Sequence, residues 1–424
     1  MRSLNFGKKG WYIIIFTLLI YWFSSTPADV LNVTVDGFAL RFGMDSTNSL
    51  LIFAAVGGFV GIPLALVTGH IVSKKGVKKP GIILMIIMGV IWIIYGRCGT
   101  FMQYAVIATI ISAISNVVNL VITQQIMSNW FPRKKGLALG WATMGMPLDS
   151  AVTVAVFQVL IVRFGLSAPF YMMFVITIAL AVVMILTVKE YPEQANAFPD
   201  NEPITEEQRQ ENIRLFDEYK SPYTVKKLFV TKDFWLLIIT FGFLFIGLLG
   251  AITQMIPRLT SIGFDTNTAV MWLTIASLVG IPASFVWGAV DQAIGTKKTV
   301  IVFSVIWTVM MLIATVGCGT MSMPVTICSL VMLSCLHGGL GNLMPSMVIS
   351  IFGRYDFAQV NKMVIPFVVG IRTLSFIIIP VVLAMAGAGN EALGYRNVYA
   401  IFTVLAVIAL VCSTFLSSKM IGKK

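Results

Sequence analysis

Apolar residues along this chain come in long blocks separated by short polar breaks. Runs of about 20 apolar residues recur, each long enough as a helix to cross roughly 30 Å of hydrocarbon. The pattern predicts twelve spans, over 11–38, 48–72, 80–98, 102–127, 136–163, 167–189, 233–258, 267–291, 298–317, 321–351, 361–388 and 394–418. The expected fold class is an all-α polytopic membrane protein.

One polar block is longer than the rest. Residues 190–232 open on Tyr191-Pro192-Glu193 and are rich in Glu, Gln, Asn and Asp. Within them Thr205 and Gln208 have capping-box spacing ahead of a short amphipathic helix. This block divides the chain into a six-helix bundle over 1–189, a linker over 190–232 and a second six-helix bundle over 233–424. The two bundles are related. Residues 61–79 read GIPLALVTGHIVSKKGVKK, and 280–298 read GIPASFVWGAVDQAIGTKK. Gly61-Ile62-Pro63 answers Gly280-Ile281-Pro282, and Gly69, Gly76 and Lys78-Lys79 answer Gly288, Gly295 and Lys297-Lys298 at one constant offset. Such internal duplication predicts two pseudo-symmetric halves with the substrate site between them.

Composition supports the membrane reading: 58% of residues are hydrophobic and 11% charged, with a mean hydropathy of +0.90. The net charge of +12 raises the question of a nucleic-acid partner, but the basic residues follow topology. Lys74, Lys75, Lys78, Lys79, Arg133, Lys134, Lys135, Lys297, Lys298 and Arg354 all fall in loops on one side. By the positive-inside rule that side, with both termini and the linker, is cytoplasmic. A multi-pass protein of the plasma (inner) membrane is expected, with the lipid bilayer and not nucleic acid as its surroundings.

Enzymatic chemistry finds no support. No GxxxxGK[ST] or GxGxxG motif follows a plausible strand, and no HExxH, Cys-x-x-Cys or paired histidines occur. The five cysteines have no metal-ligand spacing and read as packing residues. No cofactor and no metal is expected. Without a nucleotide site, any transport would be driven by a gradient or by a partner's energy.

The repeated loop resembles the signature between helices 2 and 3 of the major facilitator superfamily, Gly-x-x-x-Asp-Arg-x-Gly-Arg-Lys/Arg. Here it reads Gly69-His70-Ile71-Val72-Ser73-Lys74-Lys75-Gly76-Val77-Lys78-Lys79. The resemblance implies a conformational latch formed by Gly69, Ser73, Lys74, Gly76, Lys78 and Lys79, and by Gly288, Asp291, Gln292 and Gly295 in the second copy. The family aspartate is Ser73 in the first copy and Gln292 in the second, with Asp291 one place early. One residue turns a helical side chain by about 100°, so a weakened or rewired latch is expected. Trp130-Phe131-Pro132-Arg133-Lys134-Lys135-Gly136-Leu137-Ala138-Leu139-Gly140 and Ile351-Phe352-Gly353-Arg354 resemble the oxalate/formate antiporter and monocarboxylate transporter branch. That branch often carries one cation in helix 8 and another in helix 11 for substrate carboxylates. Ser284 stands at the helix 8 place, and Arg372 lies about one turn from the helix 11 place. One cation instead of two implies a monocarboxylate or a larger acid with an apolar body.

Ionisable residues inside a bilayer are costly and mark function. Arg372, near the midplane of its span, is the expected anion anchor, since a guanidinium clamps a carboxylate with two parallel hydrogen bonds. Asp149 falls at a nearly corresponding depth in the first half. It is expected to face Arg372 across a cavity, as a substrate, coupling or gating group, or else to form a fixed interhelical bond. Asp29, Asn32 and Asp36 form one polar stripe after Pro27. Asn116 and Asn119 form another; helices 1, 4, 7 and 10 line the cavity in the resembled superfamily, which implies substrate contact for both. His337 is a candidate proton relay. Asp29 and Asp149 share that candidate role, and Gln254 is a candidate gate.

The function expected is a monomeric secondary active transporter. It would move a small organic anion by alternating access, with a proton or a counter-anion as its coupled partner. Two alternatives stand beside it: a proton-coupled exporter of amphipathic compounds, and a non-transporting receptor on the same fold.

Overall fold

The computed structural model describes residues 5–44, 47–219, 221–387, 389–418 and 420. Twelve helices are long and apolar enough to cross a membrane: Gly7–Asp29, Ser49–Lys75, Lys78–Gly96, Phe101–Trp130, Lys135–Phe164 and Ala168–Thr187, then Lys232–Thr253, Thr266–Ile294, Thr296–Gly319, Met323–Phe352, Phe357–Ala386 and Glu391–Thr414. They are called spans 1 to 12. The fold is all-α, two bundles of six, and no strand occurs among the described residues. Apolar side chains on the outer faces are left bare. In span 3 Ile83, Ile86, Val90 and Ile94 are 57%, 41%, 48% and 45% exposed, one helical stripe that hydrocarbon would cover.

Four spans are interrupted, among them span 5 at Thr143-Met144 and span 11 at Leu374. Span 1 breaks at Val30 and continues as Leu31–Phe42, and span 7 breaks at Gln254 and continues as Met255–Ser261. Each was expected as one unbroken run. Spans 4 and 5 carry wide π-helical turns at Val118–Ile122 and Asp149–Thr153. Such turns add a residue to the helical register and re-aim the side chains around them.

The repeated loops take matching shapes. Gly76 and Gly295 end spans 2 and 8 at φ +84 and +86, a region that side-chain-bearing residues avoid. Their amides close the last helical turn on Val72 O and Asp291 O.

The halves meet along spans 2 and 11 and spans 5 and 8. On the face that carries the linker they are bolted together. Lys135 Nζ donates to Ser346 O (2.8 Å) and Ser350 Oγ (2.5 Å). Arg354 donates to Asn129 O at 2.5 Å, and Asn361 Nδ2 to Gln124 Oε1 at 3.1 Å. The linker holds both halves. Its Asp200 accepts the amides of Arg133 (3.0 Å) and Lys134 (2.7 Å), while Tyr219 donates to Asp356 (3.1 Å). Thr205 and Gln208 form the expected capping box at the start of Glu206–Glu218.

The opposite face holds a vestibule of about 710 Å³, with Asp36, Gln254, Glu391 and Tyr395 on its walls. Below it Asn32 bridges the halves. Its Nδ2 donates to Ile252 O (2.9 Å), and its Oδ1 accepts the Ile256 amide (3.2 Å). That amide lies in the first turn after the break in span 7 and has no partner within its own helix. In Asn32→Ala the Ile256 amide should exchange with solvent about tenfold faster, one lost hydrogen bond of roughly 1.4 kcal/mol. Unchanged exchange would mean that this closure does not depend on Asn32.

Candidate functional site

A central cavity of about 60 Å³ lies between the halves, midway between the bolted face and the vestibule. Span 1 lends it Ser24, Ser25 and Asp29; span 4 lends Ser115, Asn116 and Asn119; span 7 lends Phe245; His337 and Arg372 come from spans 10 and 11. A second cavity of about 40 Å³ shares Ser115 and Asn116 with it. At roughly 10–15 Å³ for each water, the first has room for about five waters.

Arg372 is 8% exposed, and all that exposure faces the interior of the bundle. Its Nη2 donates to Asn116 Oδ1, and its guanidinium carbon lies 5.7 Å from the centre of the Phe245 ring. Among the described residues no carboxylate forms an ion pair with it. Its Nε is buried without a partner. A buried cation with one hydrogen bond and one aromatic neighbour is under-satisfied. An acid entering the cavity would complete it.

Asp149 does not face Arg372, as the sequence led us to expect. It is fully buried between spans 1 and 5, behind the cavity wall. Thr26 Oγ1 donates to its Oδ1 at 2.8 Å, and Ser150 Oγ donates to Asp29 Oδ2. The clasp is reciprocal: each aspartate receives a hydroxyl from the other's helix. It gathers the two aspartates into one buried cluster. Asp149 Oδ2 has no hydrogen-bond partner. The π-helical turn that starts at Asp149 turns it toward span 1. A buried carboxylate without a charged partner is costly, so the cluster is suited to holding a proton. Asp29 looks into the cavity, while Asp149 does not line it.

Asn119 Nδ2 donates to Ser24 Oγ (3.0 Å) and Ser25 Oγ (3.2 Å), and its Oδ1 is left unpartnered. Ser24, Ser25 and Phe245 were missed in the sequence. Small hydroxyls and a phenylalanine inside apolar runs carry no signal that separates packing from a cavity wall.

Ser284 leaves the candidate site. It is fully buried where spans 5, 8 and 10 meet, its Oγ donates to Gly280 O at 3.2 Å, and it lines none of the described cavities. Its place in the sequence did not fix which face of span 8 it takes. Gln254 stands at the vestibule, its Oε1 accepting from Tyr395 at 2.9 Å. Arg258, in the segment after the break in span 7, is wholly buried against the Tyr399 ring, 5.0 Å from its centre.

The two latch copies differ. In the second, Asp291 is buried at the seam and accepts Ser346 Oγ at 2.5 Å, and Gly288 packs directly on Gly136. Gln292 is half-buried on the same turn. In the first, Ser73 donates back to His70 O in its own helix, and Lys74 and Lys79 are exposed. Lys78 is held within its own half by Glu190 Oε1 and Ile185 O. Gly69 packs against Lys362 of the other half. The carboxylate of this seam is therefore the early one, Asp291.

Comparison with known proteins agrees with this architecture. The proton:xylose symporter XylE, bound to 6-bromo-6-deoxy-D-glucose, superposes with a TM-score of 0.77 at 12% identity, 96% of each chain being covered. The human organic anion transporter MFSD10 (TETRAN) gives 0.64 at 13% identity, over 93% of this chain and 98% of its own. A bacterial homolog of the human lysosomal transporter Spinster, inward-facing and occupied, gives 0.62 at 14% over 96% of each. No curated protein matches the sequence itself. The family model of the Major Facilitator Superfamily matches residues 14–363. This is a multi-pass membrane transporter of small molecules rather than an enzyme, and the chain belongs to the Major Facilitator Superfamily.

Proposed function

We propose that this protein carries a small carboxylate across the plasma membrane by alternating access, with a proton as the coupled ion. One observation carries the reading: Arg372 is buried at the wall of the central cavity without an acidic partner. Binding an acid there supplies the missing charge, and the cavity closes around a satisfied pair. Asn116 orients the guanidinium, and Asn119 and His337 border the remaining space. Room for about five waters suits a small acid and disfavours large amphipathic cargo. The basic loops on the bolted face support a cytoplasmic placement for that face, the linker and both termini. The bundles over 1–189 and 233–424 would then rock about the 190–232 linker.

Asp29 and Asp149 supply the coupling. A proton shared between them lets Asp29 present a neutral face to the incoming acid, and its loss to the other side returns the empty carrier. Asp149→Asn keeps the volume and removes the exchangeable proton. In proteoliposomes this variant should still exchange labelled acid for unlabelled acid within about threefold of wild type. A pH gradient should no longer drive accumulation. Accumulation that persists in Asp149→Asn would remove the pair from coupling. Binding to the purified protein gives the simpler check on the substrate: small acids should compete with one another, and their amides should not.

A second reading rests on the vestibule. Its walls carry Asp36 and Glu391 and no lysine or arginine among the described residues. That field repels a bare anion and tolerates a zwitterion. An amino acid or betaine would place its carboxylate on Arg372 and its cationic end toward Asp29. Competition by such compounds, with none by simple acids, would select it.

A further inference from the structure

The seam between spans 5 and 8 holds a carboxylate, Asp291, with the charge of Lys135 nearby. The seam between spans 2 and 11 has the lysines without the acid. These two spans run antiparallel: Gly58 packs on Thr373, Ile62 on Gly370, and Gly69 on Lys362, whose Cβ lies 2.6 Å from where a Cβ on Gly69 would stand. Lys362, in the second turn of span 11, is half-buried there. The charge that acts on it is a second cation, Lys74, at the end of span 2 in the other half. Among the described residues neither lysine has a hydrogen bond or an acidic partner. Ser73, the neighbour that could have been an acid, donates to His70 O instead. The seam also faces outward. On span 2 Leu66, Val67 and Ile71 are 36%, 58% and 39% exposed, and His70 and Lys74 continue their stripe at helical spacing. That stripe is a hydrocarbon-facing surface that ends on a cation at the bolted face, the level of lipid headgroups. Trp235, at the start of span 7, packs on Phe367 of span 11 at 5.5 Å, an aromatic placement typical of the same level.

We propose that the phosphate of an anionic phospholipid bridges Lys74 and Lys362, supplies the acid that this seam lacks, and so favours the closed bolted face. Ammonium groups take phosphate oxygens in charge-assisted hydrogen bonds. Lysine stems are long enough to lie along apolar surface and bring their charges to a headgroup, and the acyl chains run along Val67 and Ile71. Without an anion, two like charges oppose each other across the closed seam. With one between them, the sign of the interaction reverses. When the halves part on this face, Lys74 and Lys362 separate and one headgroup no longer holds both. A ligand that binds the closed form better shifts the population toward it. A zwitterionic headgroup carries its own cation and neutralises the pair less, and a soluble phosphate has no chains to keep it at this surface.

The full chain carries spin labels at Lys79→Cys and Lys298→Cys and is placed in nanodiscs of phosphatidylcholine, alone or with roughly a third of phosphatidylglycerol. The distance distribution gives the ratio of closed to open bolted face. Phosphatidylglycerol should raise that ratio about fivefold or more. Lys74→Gln and Lys362→Gln should each remove most of the rise, while Lys226→Gln, which takes an exposed lysine from the linker, should keep it. Lys74→Glu places an acid opposite Lys362, so this variant should be closed in phosphatidylcholine alone and should not respond further to the anionic lipid. Glycerol 3-phosphate and inorganic phosphate, added to phosphatidylcholine discs, should not reproduce the effect. No response to phosphatidylglycerol overturns the proposal, as does a response undiminished in both glutamine variants or matched by the soluble phosphates. These readouts involve no carboxylate substrate, so they stand or fall apart from the transport reading.

Discussion

Arg372→Ala is expected to lower carboxylate uptake by about a hundredfold or more while leaving the protein folded. A guanidinium–carboxylate clamp comprises two charge-assisted hydrogen bonds, each worth roughly 1.5–3 kcal/mol. Losing both removes about 3–6 kcal/mol of binding, or roughly two to four powers of ten in affinity. Folding is spared because Arg372 contributes little to the empty structure. Its one hydrogen bond goes to Asn116, and its remaining donors face the cavity or are unpartnered. Removing an unpaired buried cation is even expected to raise the unfolding midpoint slightly. Arg372→Lys keeps the charge without the fork and should fall between, with about a tenfold loss. Uptake kinetics in proteoliposomes, read beside thermal unfolding, check both halves of this expectation. Full uptake in Arg372→Ala would make the arginine structural.

The second large effect is expected at Gly288. A Cβ placed there would lie 2.2 Å from Gly136 O and 2.8 Å from Gly140 Cα, both on span 5. These are backbone atoms and cannot rotate away. Gly288→Ala therefore pushes spans 5 and 8 apart where the bolted face closes, and it strains the Asp291–Ser346 and Lys135–Ser350 bonds beside it. The variant should rest with that face open and lose at least about nine-tenths of its transport rate. Spin labels at Lys79→Cys and Lys298→Cys, one in each repeated loop, report the opening. Their distance distribution should move to longer values in Gly288→Ala. A distribution like that of the unsubstituted chain would show that the seam absorbs the methyl group.

Much of this architecture could be read from hydrophobic pattern. Apart from the broken spans 1 and 7, the apolar runs fall within a few residues of the observed spans, and the repeated Gly76 and Gly295 adopt the same backbone conformation. Depth was legible as well, because rise per residue is fixed: Arg372, Asn116 and Asn119 sit at the cavity as counted. Facing was harder to read. Asp149 begins a π-helical turn, and one extra residue in a turn rotates what surrounds it by about 100°. Its place in one cluster with Asp29 was therefore hidden although both aspartates had been singled out. Ser284 shows the same limit without a bulge. The packing of spans 5 and 10 on span 8 decided its direction. The breaks at Val30 and Gln254 also left no mark in composition. Asn32, counted as part of a polar stripe, turns out to tie them together through Ile252 and Ile256.

Uptake of radiolabelled two- to four-carbon carboxylates into proteoliposomes, with and without an inward proton gradient, tests the central claim most directly. The account predicts saturable accumulation of at least one acid above its equilibrium level, driven by the gradient and blocked by that acid but not by its amide. Gradient-driven flux of neutral or cationic compounds, with no acid carried under any condition, would contradict it.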